Sequence, residues 1–126
     1  MGFQQRSLFT NEDFELYCNL VNFCPDHIQV LTKVKFTEFI TPTEEYGTDE
    51  FYKLFMALSK ETAPFVLYDA KSKKVSAVIE LQNDGRSFAS DETVTWLKFS
   101  EIEFVSLADL ASLYTDEVLS DVLGKS

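Results

Sequence analysis

The chain has 126 residues, of which 45% are hydrophobic and 14% aromatic, which suits one folded domain with a core of ordinary size. Its formal net charge of −10 opposes non-specific binding to nucleic acid, because an anionic surface repels phosphate. No apolar run is long enough to cross a bilayer, and no signal peptide precedes the two cysteines. We therefore expect a single cytoplasmic domain over residues 1–126, with residues 1–7 as a flexible arm and no membrane partner.

The first half of the chain predicts a helix, a strand and a second helix. Thr10 or Asn11 can cap the first helix, and Pro25 ends that segment. Residues 28–36 alternate apolar and polar side chains, as a β-strand with one covered face does. Thr48 can cap the second helix, after an acidic loop. The side chains expected to face the core are Phe14, Tyr17, Leu20 and Val21 in the first helix and Phe51, Leu54, Phe55 and Leu58 in the second.

The centre of the chain predicts a β-hairpin. Residues 65–68 and 75–81 are β-favouring runs, and the charged segment 69–74 between them is too short for a helix. Both runs are almost continuously apolar, which indicates a sheet covered on both faces. Glu80 lies inside the second run, where a carboxylate costs several kcal/mol unless it is paired or bound to a metal.

The rest of the chain predicts a polar turn, a short helix, a strand and a final helix. The turn covers residues 82–87, and the short helix runs from Ser90 to Leu97. Residues 101–105 alternate charged with bulky apolar side chains, which is typical of a strand near a sheet edge. Ser106 begins a variant of the capping box for a last helix with the apolar stripe Leu107, Leu110, Leu113 and Tyr114. These elements predict an α+β fold, a central mixed sheet of about four strands flanked by helices.

The hairpin resembles the centre of a known nuclease fold. The likeness rests on residues 65–69 (Phe-Val-Leu-Tyr-Asp) followed by residues 75–81 (Val-Ser-Ala-Val-Ile-Glu-Leu). This layout is similar to the PD-(D/E)xK, or restriction-endonuclease-like, superfamily, and more closely to a bacterial branch of it named only as a domain of unknown function. Residues 10–14 resemble the opening helix of that branch, and residues 25–34 resemble its first strand.

The resemblance also implies a metal site, from which this chain departs. In such nucleases two carboxylates hold a divalent cation while a third polar group helps to position water. Pro64 stands at the position of the family's first metal-binding aspartate, and Gln82 at the last position of its acidic tripeptide. The remnant site comprises Glu80, Gln82, Asp69 and Asp13, with Asp69 expected on the opposite face because it lies five positions beyond Pro64. We therefore expect no catalytic residue and no cofactor, with Mg²⁺ or Mn²⁺ bound only if the protein is an enzyme.

Three functions stay open. The leading one is a non-catalytic nuclease-like domain that binds a protein, in phage, mobile-element or defence biology. The second is a metal-dependent phosphodiesterase in which Asp69, or an acid of the first helix (Glu12, Asp13 or Glu15), supplies the missing ligand. The third is an acidic inhibitor that imitates nucleic acid. Its phosphate-like carboxylates would be Glu44, Glu45, Asp49, Glu50, Asp116, Glu117 and Asp121.

The acidic loop before the second helix, together with the aromatic residues beside it, is the expected protein-binding edge. Its residues are Glu44, Glu45, Asp49, Glu50 and Tyr52. Nucleic acid is not an expected partner, given the net charge. Cys18, Cys24 and His27 are too few for a zinc site, so the cysteines are interpreted as reduced thiols.

Overall fold

A computed structural model describes residues 2–124, and it has one four-stranded mixed sheet between helices. The helices are α1 (Asn11–Phe23), α2 (Asp49–Leu58), α3 (Asp91–Phe99) and α4 (Glu117–Val122), and the strands are β1 (Ile28–Lys35), β2 (Thr62–Asp69), β3 (Lys74–Leu81) and β4 (Glu103–Leu107). The strand order is β1-β2-β3-β4, antiparallel except for β4, which runs parallel to β3. The predicted α+β class is confirmed. Met1, at the head of the predicted flexible arm, lies outside the described residues.

Both faces of the sheet are covered, as the apolar runs of the hairpin predicted. On one face Phe65 and Ile79 pack with α1, which contributes Leu16 and Leu20. On the other face Val66 and Val78 pack with α3 and with a 3-10 turn at Phe36–Glu38. We call these two clusters the α1-side core and the α3-side core. Residues 65–67 of β2 and 77–79 of β3 alternate between the two cores, because successive side chains of a strand point to opposite faces. Among residues 2–124, no helix combines the length and the apolar character needed to span a bilayer.

The turn of the central hairpin is held by the Asp69 side chain. Its Oδ1 atom accepts hydrogen bonds from the backbone N–H groups of Lys71 at 2.8 Å and Ser72 at 3.3 Å. The bond from Lys71, supported by that from Ser72, lowers the pKa of the Asp69 carboxyl, because both bonds favour the charged form.

The lowered pKa of Asp69 predicts a pH effect on stability. A carboxyl whose pKa is lower in the folded than in the unfolded state contributes stability above its ordinary pKa, and this contribution is lost as the pH falls through the folded value. In urea unfolding, the stability advantage of the wild type over Asp69→Asn should therefore shrink as the pH falls below the ordinary range of aspartate. An advantage that stays constant with pH would rule out this role of the charge.

The predicted apolar stripes of α1 and α2 are wrong in part. Leu20 is buried, but Phe14 and Val21 are exposed, and Leu16 takes the buried position instead. In α2 the buried side chains are Phe51 and Leu58, whereas Leu54 and Phe55 are exposed. α1 faces the sheet through two leucines four positions apart, so the larger aromatic rings are left at its margins.

The prediction for the end of the chain is also wrong in part. Ser106 and Leu107 belong to β4 rather than to a capping box, because β4 pairs with β3 as far as Leu81↔Leu107. The helical segment splits into a 3-10 turn at Leu110–Tyr114, capped by Asp109, and α4, capped by Asp116. Tyr114, predicted to be buried, is exposed. The edge position predicted for the last strand is confirmed.

Candidate functional site

The candidate site is centred on Glu80 in β3. Glu80 follows Val78 on the same side of the strand, so it belongs to the face that carries the α3-side core. Its side chain is only 2% exposed. A carboxylate buried this deeply needs several hydrogen-bond donors, because its lost hydration is worth several kcal/mol.

Three donors from the chain satisfy the Glu80 carboxylate. Oε2 accepts from the Ser87 hydroxyl at 2.7 Å and from the Phe88 backbone N–H at 3.2 Å. Oε1 accepts from the Ser106 hydroxyl at 3.0 Å. Such charge-assisted bonds are about twice as strong as neutral ones. Glu80 therefore ties the loop after β3 and the edge strand β4 to the centre of the sheet.

Gln82 extends this hydrogen-bond network rather than adding a ligand. Its Nε2 atom donates to the Ser106 Oγ at 2.8 Å, and its backbone N–H donates to the Leu107 carbonyl at the same distance. Ser106 thus accepts from Gln82 while it donates to Glu80, which orients its hydroxyl. Amide and hydroxyl groups connected in this way strengthen one another in a low-dielectric setting.

A tight turn brings Ser87 and Phe88 back to Glu80. Asn83 and Arg86 exchange two backbone hydrogen bonds of 3.1 and 2.9 Å. The two residues between them, Asp84 and Gly85, have φ angles of 51° and 74°, the conformation that two-residue hairpins with mirror-image turns require. The turn reverses the chain at the end of β3, so the residues after it return to the buried carboxylate.

Pro64 lies close to Glu80 at the end of the β2–β3 pairing. The register ends with Phe65 opposite Ile79, and Pro64 and Glu80 are the next residues on the two strands. Both residues line the same cavity. A carboxylate at position 64 would therefore adjoin Glu80, but proline supplies no side-chain oxygen.

A small cavity of about 270 Å³ at this end of the sheet is shared by Glu80, Pro64 and Asp13. Asp13 reaches it from the first turn of α1, where its backbone N–H donates to the Thr10 cap at 3.1 Å. Arg86 also lines the cavity. A positive charge beside the cavity disfavours a bound cation.

The other predicted site residues lie elsewhere. Asp69 is at the opposite end of β2, five residues from Pro64, or about 17 Å at the usual rise per residue. Its Oδ1 atom holds the hairpin turn, so it does not join Glu80. The predicted protein-binding residues are grouped around the start of α2, where they are exposed. They are Glu44, Glu45, Asp49, Glu50 and Tyr52.

The residues around Glu80 do not fit a divalent cation. Mg²⁺ requires near-octahedral oxygen ligands, whereas both Glu80 oxygens already face N–H or O–H donors. Within residues 2–124, no three side chains of His, Cys, Asp or Glu converge closely enough to hold a metal ion. Cys18 and Cys24 are both thiols and form no disulfide.

Ser87 and Ser106 are the functional residues that sequence reasoning missed. They lie 7 and 26 residues from Glu80 along the chain, so no local motif connects them to it. The one available signal was the burial of Glu80 itself, which demanded donors without identifying them.

Comparison with known proteins identifies one family. The sequence profile of a family described as protein of unknown function (DUF2726) matches residues 5–118. No curated protein and no solved structure gives a match. The profile spans α1, the whole sheet and the start of α4, so it covers every element that forms the Glu80 site. The chain therefore belongs to the DUF2726 family.

Proposed function

We propose that this protein is a non-catalytic nuclease-like domain that acts by binding another protein. One observation carries the proposal: the Glu80 carboxylate, at the centre of the remnant site, is occupied by hydrogen-bond donors of its own chain. Ser87, Phe88 and Ser106 supply those donors, and Pro64 lies close by with no side-chain oxygen to offer. The site is built to hold a loop and an edge strand in place, which is a structural use of a buried acid.

The likeness to the restriction-endonuclease-like superfamily is part of this proposal. It is supported by the order of the elements, in which α1 precedes three antiparallel strands and α3 leads to the parallel edge strand β4. It is also supported by the position of Glu80 near the end of β3, where it shares a cavity with Pro64. A shared fold does not establish a shared function, because one fold can carry many different functional sites.

The protein-binding half of the proposal is supported by the surface around α2. Tyr46 is 78% exposed and Tyr52 48% exposed, next to four carboxylates. Aromatic residues exposed in a group are typical of protein-binding surfaces. We further propose a cytoplasmic location, with a role in phage, mobile-element or defence biology. The two thiols accord with a reducing compartment.

Nuclease assays test the non-catalytic half of the proposal. With Mn²⁺ or Mg²⁺ present, the wild type should cleave single-stranded DNA, duplex DNA and RNA no faster than a Glu80→Gln variant purified in parallel. The proximity of Asp13 to the Glu80 cavity favours the enzyme alternative, so Asp13→Asn is the second comparison. Cleavage by the wild type that both variants abolish would establish a metal-dependent phosphodiesterase and end the proposal.

The acidic-inhibitor alternative is less well supported by the arrangement of the carboxylates. The acids near α2 lie on the side of the sheet where Leu58 joins the α3-side core. Asp116, Glu117 and Asp121 belong to or cap α4, which packs through Leu119 into the α1-side core. A continuous imitation of a phosphate backbone needs its charges along one surface. These two groups are separated by the sheet.

A further inference from the structure

The exposed face of α2 carries more apolar surface than its place in the fold requires. The helix buries only Phe51 and Leu58. Tyr52, Phe55 and Met56 are spaced three and four residues apart, so they share one face of the helix, and all three are exposed. Met56 is 57% exposed. Scattered apolar residues are ordinary on a protein surface, but a contiguous group marks a contact site.

Aromatic contacts hold this face in one arrangement. The ring of Tyr46, from the loop before α2, lies 5.1 Å from Phe51 and 6.2 Å from Tyr52 between centroids, and Phe55 stacks on Phe51 at 6.0 Å. A hydrogen bond with Tyr46 raises the pKa of the Tyr52 hydroxyl, so the two phenols also interact through their polar ends. Ring contacts of this kind restrict the side chains that make them, which reduces the conformational entropy lost on binding.

The charge around the face selects its partner. Between residues 44 and 56 there are four carboxylates and one lysine, Lys53, which gives a local net charge of −3. Asp49 precedes Tyr52 by three residues, so an acid stands at the head of the apolar stripe. A second copy of this chain, itself at −10, is repelled from this face, and so is nucleic acid. A cationic partner with an apolar ridge is complementary both to the negative charge and to the apolar surface of this face.

We propose that the exposed face of α2, with the acidic loop before it, is the docking site for a basic amphipathic helix of a partner protein. This rests on the proposed protein-binding function and specifies where and what the protein binds. The apolar ridge of the partner packs along Tyr52, Phe55 and Met56, while its lysine or arginine side chains face Glu44, Glu45 and Asp49. Helices of this type bind through anchors spaced three and four residues apart.

Binding of a synthetic peptide tests the proposal directly. The probe is an amphipathic helix of leucine and lysine, and the control peptide has glutamate at every lysine position. Backbone amide shifts of the labelled protein should change over residues 44–58 with the first peptide and not with the second. Raising the salt concentration should weaken the interaction, because the charges are solvent-exposed.

Matched variants give the quantitative test. Tyr52→Ala/Met56→Ala should raise the dissociation constant of the lysine peptide about tenfold, as expected when two central anchors are truncated. Glu44→Gln/Glu45→Gln should raise it less and reduce its dependence on salt. Val94→Ala/Phe99→Ala removes exposed apolar side chains of α3 instead, including Phe99 at 84% exposure, and should leave it unchanged.

The proposal would be overturned by no binding, by equal binding of the glutamate peptide, or by shifts that map to another surface. Self-association that requires Tyr52 and Met56 would also overturn it, because the occupant would then be a second copy. The measurements use neither divalent cation nor nucleic acid. Their failure therefore removes this docking site without restoring an enzyme, whereas failure of the nuclease assays would leave the docking result intact.

Discussion

Glu80→Ala is expected to lower the free energy of unfolding by about 3 kcal/mol. The substitution removes a buried carboxylate and leaves the Ser87 and Ser106 hydroxyls and the Phe88 N–H without their acceptor. Phe88 and Ser106 are partly buried, whereas Ser87 is exposed. A fully buried donor left unsatisfied costs about 1–3 kcal/mol, and these three donors cost less each because water reaches them and the hydroxyl groups rotate. Urea unfolding monitored by circular dichroism measures the loss.

Substitutions that remove one hydrogen bond at a time distinguish loss of the Glu80 network from a general packing defect. Ser87→Ala and Ser106→Ala each remove one donor to Glu80 and should lower the free energy of unfolding by about 1–2 kcal/mol. The loss for Glu80→Gln should lie between those of the serine variants and that of Glu80→Ala. Glu103→Ala removes an exposed carboxylate from β4 and should change stability by less than about 0.5 kcal/mol. If Glu80→Ala were as mild as Glu103→Ala, the structural role of Glu80 would have to be abandoned.

Pro64→Asp is expected to create a metal site that the wild type does not have. The new carboxylate lies close to Glu80, so the two negative charges repel and the protein is destabilised in EDTA. Mn²⁺ bound between them then stabilises the folded state, by about 2.7 kcal/mol when the free metal is one hundred times its dissociation constant. Thermal unfolding with EDTA or Mn²⁺ records both effects, and the wild type should show neither.

Pro64→Asn is the matched control, because it introduces the same shape and one oxygen without the charge. It should show little gain from Mn²⁺. If Pro64→Asp folds but Mn²⁺ stabilises it no more than it stabilises Pro64→Asn, position 64 is not the equivalent of a metal-binding aspartate. The proposed likeness to nucleases would then lose its main geometric support.

Much of the fold was predictable because its signals are local. The hairpin follows from two β-favouring runs around a charged turn, and the caps Thr10 and Thr48 follow from residue type at a helix start. The burial of Glu80 also followed from the apolar run that contains it. These predictions use only residues close together in the chain, so they need no knowledge of tertiary contacts.

The errors occur where a distant partner decides the outcome. Ser106 has the local pattern of a helix cap, yet parallel pairing with β3 extends β4 through it and directs its hydroxyl to Glu80. Helical spacing predicted a buried Phe14, yet Leu16 is buried instead, and Phe14 contacts Phe9 from the N-terminal segment with ring centroids 5.9 Å apart. Local propensity is overridden by packing in both cases.

A calorimetric titration of the wild-type protein with Mn²⁺ tests the central claim most directly. Because the Glu80 carboxylate is occupied by its own chain and Pro64 supplies no ligand, we predict no saturable binding at millimolar Mn²⁺, in either the wild type or Glu80→Gln. Tight, stoichiometric binding by the wild type that Glu80→Gln abolishes would contradict this account.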